Sequence, residues 1–129
     1  MVAAVGNNKF EPDAEFPARY REVIGISVID SMKQAARFAT NGKSLELVGP
    51  GVNITSCYPL NRYATGSGTS FACPHIVGAI ALIQSKFKKD NGRKMTNTEL
   101  RDFLIKHSLD LGVPGKDFVY GYGLFSFDN

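Results

Sequence analysis

Short apolar runs bounded by turn residues open the chain. Val2-Ala3-Ala4-Val5 runs into Gly6-Asn7-Asn8, the pattern of a brief buried strand that ends in a turn. Val23-Ile24-Gly25-Ile26-Ser27-Val28-Ile29, rich in β-branched residues and bounded by Glu22 and Asp30, predicts a second strand, and Leu45-Glu46-Leu47-Val48 before Gly49-Pro50-Gly51 a third. The runs Val2 to Val5 and Val23 to Ile29 read as buried on both faces. From Thr69 to about Lys89 the period changes. Ile76, Ile80 and Ile83 fall on one stripe with Val77 and Ala81 beside it, which predicts a helix that is apolar until Gln84. Pro74 sits beyond the first turn of that helix, where a proline removes a backbone hydrogen bond and crowds the carbonyl four residues back. A local rule broken in this way marks a candidate functional region. Thr96-Asn97-Thr98-Glu99 is a capping-box signature, and Leu100, Phe103, Leu104 and His107 follow at helical spacing, so a second helix is predicted to about Leu109. Gly112 to Gly123 carries four glycines and one proline and predicts turns, before a terminal strand at Leu124-Phe125. No repeat, linker or low-complexity tract interrupts the pattern, so residues 1–129 read as one α/β unit.

Composition narrows the class. With 129 residues, 43% hydrophobic and 21% charged, the chain fits one globular domain and excludes disordered and fibrous classes. No apolar run approaches the ~20 residues of a membrane span, so no membrane partner is expected. Met1 to Gly6 is too short and uncharged for a signal peptide. Fifteen basic against twelve acidic residues give +3, with no basic cluster longer than Lys86, Lys88 and Lys89 and no interleaved aromatics, so no nucleic-acid partner is expected either. Cys57 and Cys73 form neither a disulfide framework nor a metal-ligand pattern. A cytoplasmic location is favoured on these grounds.

The chemistry concentrates at Gly68-Thr69-Ser70-Phe71-Ala72-Cys73-Pro74-His75-Ile76-Val77-Gly78, where a glycine turn enters the long helix. A serine there has two readings. It caps the helix, or it is a nucleophile placed where backbone N–H groups and the helix dipole stabilise a developing oxyanion. His75 lies five residues past Ser70, about 140° around the helix and about 7.5 Å along it, so it faces away and reads as a packed structural histidine. His107 falls late in the second helix, where a helix-end or surface role is expected.

Gly-Thr-Ser-x-Ala-x-Pro-His-x-x-Gly resembles the nucleophile motif of the subtilisin family of serine endopeptidases, and the likeness extends along the chain. Val2 to Asn7 resembles the strand ending in the family's oxyanion-hole asparagine, and Phe16-Pro17-Ala18-Arg19-Tyr20 its following loop. Val48-Gly49-Pro50-Gly51-Val52 is similar to its Ala-Pro-Gly turn, and Gly121-Tyr122-Gly123-Leu124 to the end of its catalytic domain. Within the family, the Thr96 to Leu124 stretch resembles intracellular bacterial members. The resemblance implies the C-terminal part of a parallel-sheet, three-layer α/β domain with the Ser70 helix at its core. It implies Ser70 as nucleophile, with Asn7 and the Ser70 N–H as oxyanion donors; as a lone Gly-Asn, Asn7 also reads as a turn residue.

The family's chain order is Asp, His, Ser, and its Asp and His precede the asparagine-bearing strand. The expectation is a C-terminal half of the catalytic domain, inactive alone, that hydrolyses polypeptides only with the N-terminal half present in cis or in trans. A non-catalytic peptide-binding module is the alternative. The resemblance further implies a substrate pocket walled by Ala3, Ala4, Val5 and Gly6 on one side and Glu15 with Phe16 on the other. Glu15 there favours Lys or Arg before the scissile bond, or else is a solvated loop residue. Ala18, Tyr20 and Val23, with Glu46 nearby, match positions that bind a weak calcium or monovalent cation in some members. Phe16-Pro17 matches a cis turn. Phe71 stands where many members carry an oxidisable methionine, and Cys73 reads as a small buried hydrophobe.

Overall fold

A computed structural model describes residues 1–128. Its strands and helices follow in the order β1 (Val2–Ala4), β2 (Ile24–Ile29), β3 (Leu45–Pro50), β4 (Ile54–Tyr58), β5 (Arg62–Gly66), α1 (Thr69–Asn91), α2 (Asn97–Lys106), β6 (Ser108–Leu109) and β7 (Leu124–Phe125). A five-stranded sheet has the order β1-β2-β3-β7-β6. Neighbours are parallel from β1 to β7, and β6 closes the far edge antiparallel to β7. The architecture is α/β, as the alternation of apolar runs and helical periods implies.

The core forms where α1 crosses the sheet. Ile24, Ile26, Val28 and Leu47 pack with Ala72, Ile76 and Ile83 of α1 and Leu100 and Leu104 of α2. Every residue of β2 is buried, Ser27 included, in keeping with a β-branched-rich strand covered on both faces. β1 is half-buried, not covered on both faces, because it is the edge strand and has a neighbour on one side only. A second cluster, Val5, Ala14, Ala18 and Leu45, seats the loop that joins β1 to β2. The Phe16–Pro17 peptide in that loop is cis.

α2 starts where the sequence places it. The Thr96 side chain accepts the Glu99 N–H, and the Glu99 carboxylate accepts the Thr96 N–H. Its end differs from the expected Leu109. His107 is the C-cap, and Ser108 and Leu109 pair with Phe125 and Leu124. Ladder bonds to a strand some fifteen residues on in the chain thus replace a last helical turn. The β4–β5 hairpin was not expected; its strands pair antiparallel and stand away from the main sheet with their side chains largely exposed.

Candidate active site

Two sheet strands deliver the ends of their following turns to the start of α1. From β1 the chain passes through Gly6 to Asn7. From β3 it reaches Gly51, whose N–H donates to Ile29 O at 3.1 Å and whose carbonyl accepts the Gly68 N–H at 2.9 Å. A Cβ at Gly51 would lie 2.7 Å from both Gly68 O and Val28 Cγ2, so only glycine lets the turn close on the helix.

The N-cap of α1 is Gly68, which has no side chain to cap with. Asn7 supplies the cap from a distant part of the chain: its Oδ1 accepts the Thr69 N–H at 3.0 Å and the Thr69 hydroxyl at 3.2 Å. An N–H can only donate, so it fixes the amide orientation: oxygen toward Thr69, NH2 away from it. That NH2 borders the space above Gly68. A point at the Cβ position of Gly68 is 3.3 Å from Asn7 Nδ2 and 3.3 Å from Ser70 Oγ. Ser70 is exposed within the first turn of α1. Its backbone N–H and its hydroxyl have no hydrogen-bond partner among the described residues. Ser70 is therefore not the cap. A hydroxyl, an unpaired helix-terminal N–H and an oriented amide NH2 border one open space at the positive end of a helix dipole. Chemically, that set can hold an oxygen that gains negative charge as the hydroxyl attacks a carbonyl.

The loop after Asn7 returns beside it. The Glu15 N–H donates to Val5 O at 2.8 Å, and the Glu15 side chain lies over Gly6, where a Cβ would come within 2.5 Å of Oε1. Gly6 also has φ +110°, so glycine is needed there twice over. The structure thus brings Gly6 and Glu15 together one residue before Asn7, and Glu15 has no ion-pair partner among the described residues. Ala3 and Ala4 are half-buried, whereas the Val5 side chain is fully buried with Ala14, Ala18 and Leu45. Val5 can border a pocket only through its backbone.

Neither histidine serves Ser70. His75 is exposed, not packed, and its Nδ1 lies 2.8 Å from Phe71 O. It borders a surface cleft with Ile29, Pro50 and Phe125 at the ends of the sheet strands. His107 stacks on Phe103 with ring centroids 4.1 Å apart and caps α2. Burial pushes the Cys73 thiol above its ordinary range, in keeping with a small hydrophobe. The Phe71 ring sits where a Cβ at Gly66 would be.

Of the residues matched to a weak cation, Tyr20, Val23 and Glu46 line one cleft and Ala18 does not. Arg101 Nη2 donates to Arg21 O at 2.9 Å and to Val23 O at 3.4 Å, and Arg101 Nε lies 3.1 Å from Glu46 Oε2. Burial raises the Glu46 pKa, against the opposing pull of Arg101 and Lys116. The Tyr20 carbonyl accepts the Val23 N–H at 2.9 Å, closing the turn, and Ala18 is buried.

The sequence profile of the Subtilase family matches residues 1–123. The chain belongs to the subtilase family. It is 39% identical to the minor extracellular protease Epr of Bacillus subtilis (strain 168) over 98% of this chain and 19% of that protein. It is 34% identical to the major intracellular serine protease of the same organism over 93% of this chain and 40% of that one. A crystal structure of a lanthipeptide protease superposes with a TM-score of 0.88 at 24% identity, over 97% of this chain and 47% of that chain. The fold is thus shared with a solved protease, and the chain spans less than half the length of each of these proteins.

Two residues of the candidate site, Thr69 and Arg101, have no role in the sequence reading. Thr69 orients Asn7 through two bonds, and its place in the motif next to Ser70 was the available signal. Arg101 gave none, because nothing near it in sequence relates it to Val23 or Glu46. For the β4–β5 hairpin that leads into Gly68, the available signal was the β-branched and aromatic residues of Ile54 to Tyr58 and Arg62 to Thr65 on either side of the turn Pro59-Leu60-Asn61. No helix of the described residues is long and apolar enough to cross a membrane.

Proposed function

We propose that this chain is the nucleophile-bearing, C-terminal part of a serine endopeptidase catalytic domain. The observation that carries the reading is the Asn7 amide: its oxygen is tied to Thr69 and its NH2 borders the same space as Ser70 Oγ. In the reaction, Ser70 Oγ attacks the scissile carbonyl and forms a C–O bond. The carbonyl oxygen becomes an oxyanion between Asn7 Nδ2–H and the Ser70 N–H. The serine proton passes to a histidine base and from there to the leaving amine as the C–N bond breaks. Water then hydrolyses the acyl-enzyme by the same path.

The base and its orienting carboxylate come from outside this chain, in cis or in trans. Two features support that source. The family's Asp and His precede the Ser in the chain, and β1 offers an unpaired outer edge while α1 exposes a face of Pro74, Val77, Gly78 and Ala81. That edge and face suit a further parallel strand and its helix. Polypeptides are the substrates. Glu15 sits against Gly6 without a cationic partner, and this supports a preference for Lys or Arg before the scissile bond.

The test mixes the chain with a polypeptide carrying the Asp and His half of a subtilase catalytic domain and follows peptide-anilide hydrolysis. The expected result is no activity from either part alone and activity from the mixture that Ser70→Ala abolishes. Lys and Arg substrates should outrun Leu and Phe, and Glu15→Gly should reverse that order. A compact mixture with no Ser70-dependent turnover would overturn the reading in favour of a peptide-binding module. An unchanged ranking in Glu15→Gly would remove Glu15 alone.

A further inference from the structure

We infer that Arg101 takes the place of the weakly bound cation, so that the β1–β2 loop of this chain is pinned by a guanidinium of α2 and its stability does not depend on a metal ion. The inference rests on the family's fold and not on the catalytic reading above.

The donor set does not suit a free cation. A hard ion such as calcium needs six to eight oxygen ligands, several of them charged. Here Glu46 is the single carboxylate of the cleft, and among the described residues no three His, Cys, Asp or Glu side chains converge anywhere. The other charged residues lining the cleft around Glu46 are all basic: Arg19, Arg21, Lys43, Arg101 and Lys116. An added cation would meet this positive field at close range.

Arg101 engages Val23 O and one oxygen of Glu46, two of the matched positions, together with the neighbouring Arg21 O. Arg101 Nη2 reaches Arg21 O at 2.9 Å and Val23 O at 3.4 Å, and Nε stands 3.1 Å from Glu46 Oε2. The Nε contact is ionic and not a hydrogen bond, since its angle leaves Nε without an aligned acceptor. The two side chains are 30% and 15% exposed, so the pair is largely withdrawn from water. A planar fork with fixed N–H directions can hold a carbonyl and a carboxylate at once, as a bound ion would, with no loss of a free ligand to solution. Removing it would leave Glu46 buried and unpaired, which is costly. Arg101 is thus a positioning residue: through Arg21 O and Val23 O it fixes the segment that follows Glu15 and Phe16.

Thermal unfolding of the chain, and the rate of trypsin cleavage after Arg21, would be measured in chelator-treated buffer and with added calcium, sodium or potassium, at ionic strength held constant with tetramethylammonium. The unaltered chain should give the same midpoint and the same cleavage rate throughout. Arg101→Ala should lower the midpoint by about 2–8 °C in cation-free buffer and expose Arg21 to faster cleavage. Any cation response should appear in Arg101→Ala and vanish in its double variant with Glu46→Gln. Should Arg101→Ala fail to fold, the unaltered chain and Arg101→Lys, both expected to ignore added cations, still decide the matter. Saturable stabilisation of the unaltered chain by calcium or sodium, lost in Glu46→Gln, would overturn the inference. So would an Arg101→Ala chain indistinguishable from the original in cation-free buffer.

Discussion

Asn7 does two jobs with one amide. Its oxygen replaces the side-chain cap that Gly68 cannot provide, and its NH2 is left as a donor beside Ser70. Asn7→Leu keeps the size and removes both. In the reconstituted complex it should lower kcat by about 10²–10³ with little change in KM, a magnitude taken over from a subtilisin of this same family in which the oxyanion-hole asparagine is removed. Steady-state kinetics on one peptide anilide would check this, and an unchanged kcat would show that Asn7 is only a cap. Gly68 contributes by what it lacks. A methyl group there would stand 3.3 Å from both Asn7 Nδ2 and Ser70 Oγ. Gly68→Ala should therefore slow phosphonylation of Ser70 by a fluorophosphonate in the complex at least as much as it shifts the melting midpoint of the chain. A variant that reacts at the original rate would contradict the crowding.

Among the elements, α2 is the one whose stability depends most plainly on pH. Glu99 accepts both Arg93 Nη1 and Nη2, at 2.8 and 2.7 Å, and also the Thr96 N–H at 2.8 Å. The Arg93 bonds first, then the Thr96 backbone bond, hold the Glu99 pKa at about 2, below its ordinary 4.5. A depressed carboxylate favours the folded state above the ordinary value, and that contribution fades as pH falls from about 4.5 through about 2. Denaturant midpoints at neutral pH and between those two values should show an acid loss that is smaller in Glu99→Gln. An equal acid loss in both proteins would place the titration elsewhere. Thr96→Ala should cost about 1 kcal/mol at neutral pH through the cap itself.

For the molecule as a whole, the exposed apolar surface decides behaviour in solution. Pro74, Val77, Gly78 and Ala81 are exposed on the face of α1 turned away from the sheet, Val77 by 45%, and β1 has an open edge. Such surface invites association. Sedimentation of the chain should show concentration-dependent association, which Val77→Glu with Ala81→Glu suppresses. The same double variant should no longer be complemented by the Asp and His half. A chain that stays monomeric without these changes would argue against that face as a docking surface.

What the sequence determined by itself is what its local patterns carry. The period of Ile76, Ile80 and Ile83 placed α1 from Thr69 to within two residues of its end, the Thr96 box placed the start of α2, the β-branched-rich run Val23 to Ile29 placed β2, and Leu45 to Val48 before the Gly49-Pro50-Gly51 turn placed β3. Ser70 and Asn7 could be singled out as candidates because the motif around Ser70 lies in one stretch and the strand before Asn7 has a short, recognisable form. The tertiary structure decided whatever depends on partners distant in the chain. It ended α2 at His107 because Ser108 pairs with Phe125. It left β1 half-buried because no strand covers its outer edge. It turned the Val5 side chain into the core, set Glu15 over Gly6, and brought Arg101 to Glu46 and Val23. Propensity and periodicity act over a few residues, whereas these contacts are chosen only when the folded chain has closed its long loops and each buried polar group must find a partner.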